Sequence, residues 1–360
     1  MSLSILGLGT ALPAHTVSQS LASEVAQKLA GSDEGSFSAL YRKSGVVTRH
    51  MVLPPEVVMD WLFSGSGGDA LGPTTGERMR LYLEHATGLA LPAAERAVGD
   101  AGIGTGAITH LVTVSCTGFH APGPDLGLIA GLGLAPTVAR THLGFMGCHG
   151  AINGLRVASA FAAADPRSRV LLCAVELCSL HYHSGGDRKK LVGNALFADG
   201  AAALVAGPVP ARGSPATAAR HWRIAGTGSC LFPGSADAMT WVIGDHGFEM
   251  ALAREVPDLI RSHLRPWLSS WLDGLGQSLS SVKSWAVHPG GPRIVSAVEE
   301  CLELPPGATR HSREVLADCG YMSSPTILFI IERLRREEAP LPCVALGFGP
   351  GLVAEAALFV

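Results

Sequence analysis

Two periods of hydrophobic spacing alternate along the chain. Ile108 to Val114, Arg169 to Val175 and Ala201 to Ala206 are short apolar runs that read as strands. Leu89 to Asp100 carries Ala and Leu at helical spacing, and the Ala-rich stretch 151–164 reads as a helix leading into the second of those strands. The apolar start, Met1 to Leu6, runs into Gly7 and Gly9 and reads as a first strand and turn. Strands alternating with helices predict a layered α/β fold. Pro208, Pro210, Gly213 and Pro215 punctuate a stretch ending near Arg220. It divides the chain into halves over 1–210 and 221–360. In the second half the pattern predicts a largely helical Gly247 to Leu272, a strand at Ser284 to Val287 and a helix at Arg293 to Leu302. Ser324 and Pro325 open a further helix, with Ser as cap and Pro at the first helical position. Cys343 to Val360 reads as strand, Gly-rich turn, strand. The halves echo each other: Asp199-Gly200 feeds the apolar run up to Gly207, and Gly347 to Gly351 feeds the run up to Leu358.

Composition narrows the class. The chain has 360 residues, 47% of them hydrophobic and only 16% charged, enough for a large closely packed core. The formal net charge is −3, and the tightest basic clusters, Arg188-Lys189-Lys190 and Arg333 to Arg336, are short. They suit solvated faces, so no nucleic-acid partner is expected. No apolar stretch approaches the roughly 20 residues of a membrane span, and no basic region precedes the apolar start, so a cytoplasmic location is expected. None of the eight cysteines forms a C-x-x-C pair, which argues against a disulfide framework. Gly7-Leu8-Gly9 is followed by Leu12 where a dinucleotide fingerprint needs its third glycine, so neither nicotinamide nor flavin is implied. His181 and His183 lack a third ligand at metal spacing, and no metal is implied.

One cysteine stands in a distinctive setting. Leu143 to Gly150 is a short apolar strand running into glycines, and the helix follows at once, which sets Cys148 at a helix N-terminus. The unpaired N–H groups there favour a thiolate. The other seven cysteines lie in apolar runs or lack that context and read as core. A thiolate needs an acid–base partner. His288, in Val287-His288-Pro289-Gly290-Gly291, ends a strand and enters an exposed loop. His149 adjoins Cys148, but neighbours on a helix do not face each other.

Several ordered blocks together resemble the chalcone-synthase-like type III polyketide synthases of the thiolase superfamily. They are Gly144 to Gly150, Leu191 to Gly200, Trp285 to Pro292, Gly320 to Ser324 and Gly347 to Gly351, spread over nearly the whole chain. The resemblance implies a thiolase fold, two duplicated halves in a five-layer α-β-α-β-α arrangement, and a homodimer. It implies that Cys148 accepts an acyl group and that His288 keeps Cys148 ionised and steadies a thioester enolate. That enolate, from malonyl decarboxylation, attacks the Cys-bound acyl chain. Acyl-CoA and malonyl-CoA are then substrates, with no further cofactor. Phe197 matches a gating aromatic, and the loop around Gly349 matches the glycine loop of the cavity floor. Met250 matches a second gating position, His181 a position that sets cavity size, and Ser323 a cavity residue beside the third catalytic position. Lys43 matches one basic residue of the CoA entrance, where Ser36 and Ala39 replace two others; an acyl group on a carrier protein therefore stays open as substrate.

One departure bears on the chemistry. The family's third catalytic residue is the Asn of a Gly-Asn-Met-Ser-Ser block, and here the block reads Gly320-Tyr321-Met322-Ser323-Ser324. A phenol carries one O–H donor, farther from the backbone than a carboxamide. Decarboxylative condensation is the leading expectation. The alternatives are a non-decarboxylating Claisen enzyme or acyltransferase, and a degenerate homologue that binds acyl groups without turnover.

Overall fold

The fold was analysed in a computed structural model, which describes residues 3–30, 39–63, 71–184, 191–208 and 222–360. Arg188-Lys189-Lys190, Ser36 and the boundary stretch from Pro210 to Arg220 lie outside the described residues. In chain order the first half comprises β1 (Leu3–Ala11), β2 (His15–Ser18), α1 (Gln19–Ala30), β3 (Thr48–Met51), α2 (Pro55–Phe63), α3 (Thr75–Ala101), β4 (His110–Ser115), α4 (Pro124–Leu132), β5 (Ala139–Gly144), α5 (Gly150–Ala164), β6 (Val170–Leu177), α6 (Leu191–Leu196) and β7 (Asp199–Pro208). The second comprises β8 (Ile224–Leu231), β9 (Met239–Gly244), β10 (Gly247–Leu252), α7 (Val256–Asp273), β11 (Ser284–Val287), α8 (Pro292–Leu302), α9 (Arg310–Cys319), α10 (Thr326–Arg336), β12 (Cys343–Gly349) and β13 (Val353–Phe359).

The two main sheets repeat one plan. The first has the order β1-β7-β6-β4-β5 and the second β11-β12-β13-β8. Read outward from β1, the pairings are antiparallel, antiparallel, parallel, parallel. Read outward from β8, they are antiparallel, antiparallel, parallel. β8, β13, β12 and β11 thus stand as β1, β7, β6 and β4 do, and the echo between the runs after Gly200 and Gly351 reflects the equivalent places of β7 and β13 in the two sheets.

Three hydrophobic clusters define the layers. One lies between α3 and the first sheet, through residues such as Ala90, Ala97, Leu171 and Val205. A central one joins both sheets to α5 and α10, through Leu172, Leu204, Ile152, Leu155, Ile330 and Ala345. The third packs α7 and α8 on the outer face of the second sheet, through Ile260, Leu264, Val298 and Leu346. The result is α-β-α-β-α. Helices α5 and α10 sit between two sheets, and α10 is accordingly buried almost all round, from Thr326 to Ile331. Each fully buried Leu or Ile contributes roughly 1.5–3 kcal/mol relative to exposure.

Local signals explain the ends of the elements. Thr74 and Glu77 form a capping box at the start of α3, and Gly102, at φ 63°, closes it. Gly7 and Gly9 do not serve a nucleotide: a Cβ on either would lie within 2.4 Å of α3 backbone atoms, so both let β1 press against that helix. Two expectations are corrected. Gly247 to Leu272 is not one helical stretch, because Gly247–Leu252 pairs with Met239–Gly244 as a hairpin and the helix begins at Val256. Ser324 does not cap α10. Its Oγ is drawn instead to the buried Glu176 carboxylate at 2.5 Å, and Pro325 takes the cap position. Only part of the Arg333 to Arg336 cluster is a solvated face: Arg336 is exposed beside Glu332 and Arg333 pairs with Asp318, whereas the Arg335 side chain is 12% exposed and Leu334 is buried.

Candidate active site

The loops that enter the two central helices meet at one place. Cys148 lies just before α5, whose N-cap is His149, and Tyr321 lies on the loop before α10. Tyr321 is fixed by its own backbone: its N–H donates to Leu196 O and its C=O accepts from Ala198 N–H, both at 2.9 Å. Its phenol hydrogen-bonds the Cys148 thiol. Its ring stacks on Phe197, with centroids 5.6 Å apart, and meets His288 edge-on at 5.4 Å. His288 ends β11 and is held by its N–H to Leu346 O at 2.8 Å.

These residues wall a cavity in two lobes. Cys148, Phe197, Met239, Met250 and Tyr321 face both lobes. His288, Ile294 and Phe348 complete the first. Cys116, Thr117, Cys178, Trp241 and Ser323 line the second. The walls are mainly apolar.

The electrostatics differ from the expectation for a helix-start thiolate. Burial pushes the Cys148 thiol up to about 11, against the pull of O–H donors from Tyr321 and Ser323. Burial, and then the charge of nearby His149, holds His288 down at about 3. Both side-chain nitrogens of His288 are buried and have no hydrogen-bond partner among the described residues. Both shifts favour the uncharged forms, a neutral thiol and a neutral imidazole, with burial as the largest cause of each. Burial raises the Tyr321 phenol well above its usual range, so it stays a donor.

The remaining predicted residues divide. Phe197, Met250 and Ser323 face the cavity, and Ser323 Oγ lies 3.2 Å from Cys116 Sγ. Ser323 and Phe145, one on each of the two loops of the site, both hold positive φ, at 52° and 60°. His181 does not reach the cavity. Its Nε2–H donates to Thr117 O at 2.7 Å and its Nδ1 accepts from Phe248 N–H at 3.0 Å, so both nitrogens are occupied. It buttresses Trp241, edge-on at 5.5 Å. His183 Nε2 is within 3.1 Å of Phe248 O. Among the described residues no group of three or more His, Cys, Asp or Glu could hold a metal ion. Gly349 does not line the cavity either; a Cβ there would lie 2.4 Å from the His149 ring. Lys43 is exposed on a segment whose Gly45 packs against Pro292, four residues beyond His288.

Sequence reasoning missed several wall residues, Trp241, Cys116 and Cys178 among them. Trp241 sits on β9, opposite Met250, and its Nε1–H donates to Cys116 O at 2.7 Å. The turn Asp245-His246-Gly247 between two short apolar runs was the signal for that hairpin. Cys116 and Cys178, taken as core, are buried but face the second lobe beside Cys148. Cys230 and Cys301 are half-buried rather than core. Behind the site Glu176 is fully buried, accepting from Thr117 Oγ1 at 2.7 Å, Ser324 Oγ at 2.5 Å and Cys116 N–H at 2.9 Å. It ties the β4 end to the loop of Ser323.

A cysteine at a helix start, a histidine at a strand end and an apolar cavity between duplicated halves are the arrangement expected of a condensing enzyme of the thiolase fold. The family model for the N-terminal domain of chalcone and stilbene synthases matches residues 2–210, and that for the C-terminal domain matches 224–360. The chain belongs to the chalcone and stilbene synthase family, as an acyl-transferring type III polyketide synthase. It is 34% identical to a 1,3,6,8-tetrahydroxynaphthalene synthase of Streptomyces peucetius subsp. caesius, over 98% of this chain and 91% of that protein. It is 31% identical to the alpha-pyrone synthesis polyketide synthase-like Pks18 of Mycobacterium tuberculosis, over 99% and 90%. Among solved structures, PKS-I from the brown alga Ectocarpus siliculosus superposes with a TM-score of 0.90 at 29% identity, covering 99% of this chain and 98% of that one. No helix among the described residues is long and apolar enough to cross a membrane.

Proposed function

We propose that this polyketide synthase loads an acyl group from a CoA thioester onto Cys148 and extends it with malonyl-CoA, with Tyr321 as the hydrogen-bond donor of the site. The single observation that carries this is the Tyr321 phenol bonded to the Cys148 thiol in a cavity shared with His288. Cys148 sulfur attacks the acyl carbonyl, the tetrahedral intermediate collapses and CoA leaves as its thiol, with the cysteine proton passing through His288. Malonyl-CoA loses CO₂ to give an enolate. The enolate carbon attacks the Cys148 thioester, the new C–C bond forms, and the Cys148 thiolate is expelled and reprotonated. Tyr321 O–H and His288 supply donors where negative oxygen or sulfur develops, and one such donor is worth about 10²–10³ in rate. Phe197 and Met250 bound the route into the cavity. Lys43 offers one cation at the CoA side, and the two halves 1–210 and 221–360 contribute Cys148, and His288 with Tyr321, respectively.

The functional form is a homodimer. β5 is an open edge of the five-stranded sheet, and beside it Phe119, Leu126 and Met146 are 48%, 42% and 40% exposed. An open edge rimmed by apolar side chains suits pairing with a second copy of itself.

The test is intact mass after exposure to a panel of acyl-CoAs, followed by labelled malonyl-CoA, with Cys148→Ala as control. An acyl adduct on the native protein alone, then labelled CO₂ and an extended product, is the expected result. An adduct without CO₂ release would instead support an acyltransferase.

A further inference from the structure

His149 is buried, immediately follows the nucleophile and has no part in the steps above. Its surroundings are more organised than a filler residue requires. Glu355 on β13 is an acceptor only, and it pairs with Arg156 of α5 and accepts from Ser229 Oγ at 2.8 Å. Asn153 Nδ2 donates to Glu355 at 3.1 Å, which turns Asn153 Oδ1 toward His149 Nδ1 at 2.7 Å. A carbonyl oxygen cannot donate, so His149 Nδ1 carries the proton. The ring's tautomer and angle are thus fixed from the half-exposed Arg156 inward, through three side chains.

What the ring meets is equally specific. Alternate residues of β12 face opposite ways. Val344, Leu346 and Phe348 face the outer helices, and Ala345 faces the central layer. Gly347 and Gly349 stand on that inner face too, against the nucleophile turn. A Cβ on Gly349 would lie 2.4 Å from both Cδ2 and Nε2 of His149, and one on Gly347 would lie 3.0 Å from its Cβ. The fit is reciprocal: a Cβ on Gly147 would lie 2.5 Å from Pro350 Cδ. The imidazole therefore fills a groove made by two glycines of the second half, and Pro350 fills one beside a glycine of the first. Cys148 is the residue between these two locks. His288 hangs on the same strand, through its N–H to Leu346 O.

We infer that His149 is a positioning residue: oriented by Arg156, Glu355 and Asn153 and seated against Gly347 and Gly349, it fixes Cys148 relative to His288 across the two halves. The missing side chain at Gly349 then serves the imidazole and not the volume of the substrate cavity. This rests on the loading of Cys148 proposed above. The order of the two loops also shows why a histidine suits the place. The ring is flat enough to enter between strand and helix, and it carries one donor to be held by.

A double-mutant cycle on the full chain tests it. Acylation of Cys148 by acetyl-CoA is followed by intact mass, with rate constant and half-saturation separated, in the native protein, His149→Ala, Gly349→Ala and the double variant. Each single variant is expected to lower the maximal acylation rate about tenfold or more with half-saturation nearly unchanged. The double variant is expected to match His149→Ala within about twofold, because the added methyl occupies the space the ring has left. Independent, multiplying losses in the double variant would overturn the inference. Should Gly349→Ala not fold, Asn153→Ala decides: it frees the ring without touching β12. A lowered maximal rate at unchanged half-saturation supports the role, and a native rate refutes it. A native protein that takes no acyl group from any thioester would sink the loading step itself, a result distinct from a native protein that loads while the cycle shows no coupling.

Discussion

The phenol of Tyr321 and the thiol of Cys148 share a hydrogen bond across the junction of the two halves. Tyr321 stays protonated because burial raises its pKa, so once Cys148 ionises the phenol must be the donor. Tyr321→Phe keeps the ring on Phe197 and removes only that donor. Malonyl decarboxylation, read as labelled CO₂, is expected to fall about 10²-fold, and alkylation of Cys148 by iodoacetamide at fixed pH should slow. Tyr321→Asn supplies a shorter donor and should retain more decarboxylation than Tyr321→Phe. Equal CO₂ release from Tyr321→Phe and the native protein would remove the phenol from the mechanism.

Much of this was legible in the sequence, and the rest failed for identifiable reasons. Strand-glycine-helix spacing located Cys148, because a helix start is a local event that neighbouring residues encode. The duplicated plan showed in the Asp199-Gly200 and Gly347 to Gly351 echoes, because Gly200 lies at the start of β7 and Gly351 turns the chain into β13, the strands that hold equivalent places in the two sheets. The β9–β10 hairpin did not show, since Gly247 to Leu252 is short and runs into a long amphipathic helix whose period dominates the window. Ser324 looked like a cap because capping chemistry is local, whereas the buried Glu176 that claims it lies 148 residues away. The burial of Cys148 escaped the sequence reading for a related reason: the helix terminus is visible in sequence, and the desolvation that raises the thiol pKa is not.

Trp241 limits the second lobe. Its indole stands edge-on to Phe197 at 5.9 Å and to Phe248 at 5.7 Å, and it closes the space beside Cys116 and Cys178. Trp241→Ala should therefore admit bulkier starters or one to two further extensions, seen as a shift of product mass by chromatography with mass detection. It should also cost about 3 kcal/mol of stability, the lower end for Trp→Ala, since the side chain is only partly buried. An unchanged product distribution in a folded Trp241→Ala protein would show that another wall sets the length.

The open β5 edge makes a prediction about assembly. Phe119 packs on Gly144 of that strand and stays 48% exposed. Stable pairs of subunits bury about 800 Å² on each side, with an apolar centre. Phe119→Asp and Leu126→Asp together should shift the proposed dimer to monomer at micromolar concentration, measured by sedimentation. The protein running as a monomer before any substitution would leave the edge without its partner.

The buried histidines give the site a defined response to pH. His288 and His181 both sit at about 3, burial being the main cause, against an ordinary value of 6.5. A depressed folded value means the unfolded chain binds protons first as pH falls. Their contribution to stability is thus complete above about 6.5 and is lost progressively from there toward 3. For His181 the loss has a structural route, because protonating Nδ1 breaks its bond from Phe248 N–H and frees the hairpin that carries Trp241 and Met250. Urea midpoints should fall between pH 7.5 and pH 5, and His181→Gln should flatten that slope while lowering stability at neutral pH. Reactivity moves the other way. With the Cys148 thiol at about 11, alkylation of the empty enzyme should climb nearly tenfold per pH unit from 6 to 9. It should show no inflection near 6.5, because His288 is already neutral there. An alkylation plateau that begins between pH 6 and 7 would mean that Cys148 and His288 form a thiolate–imidazolium pair before any substrate arrives.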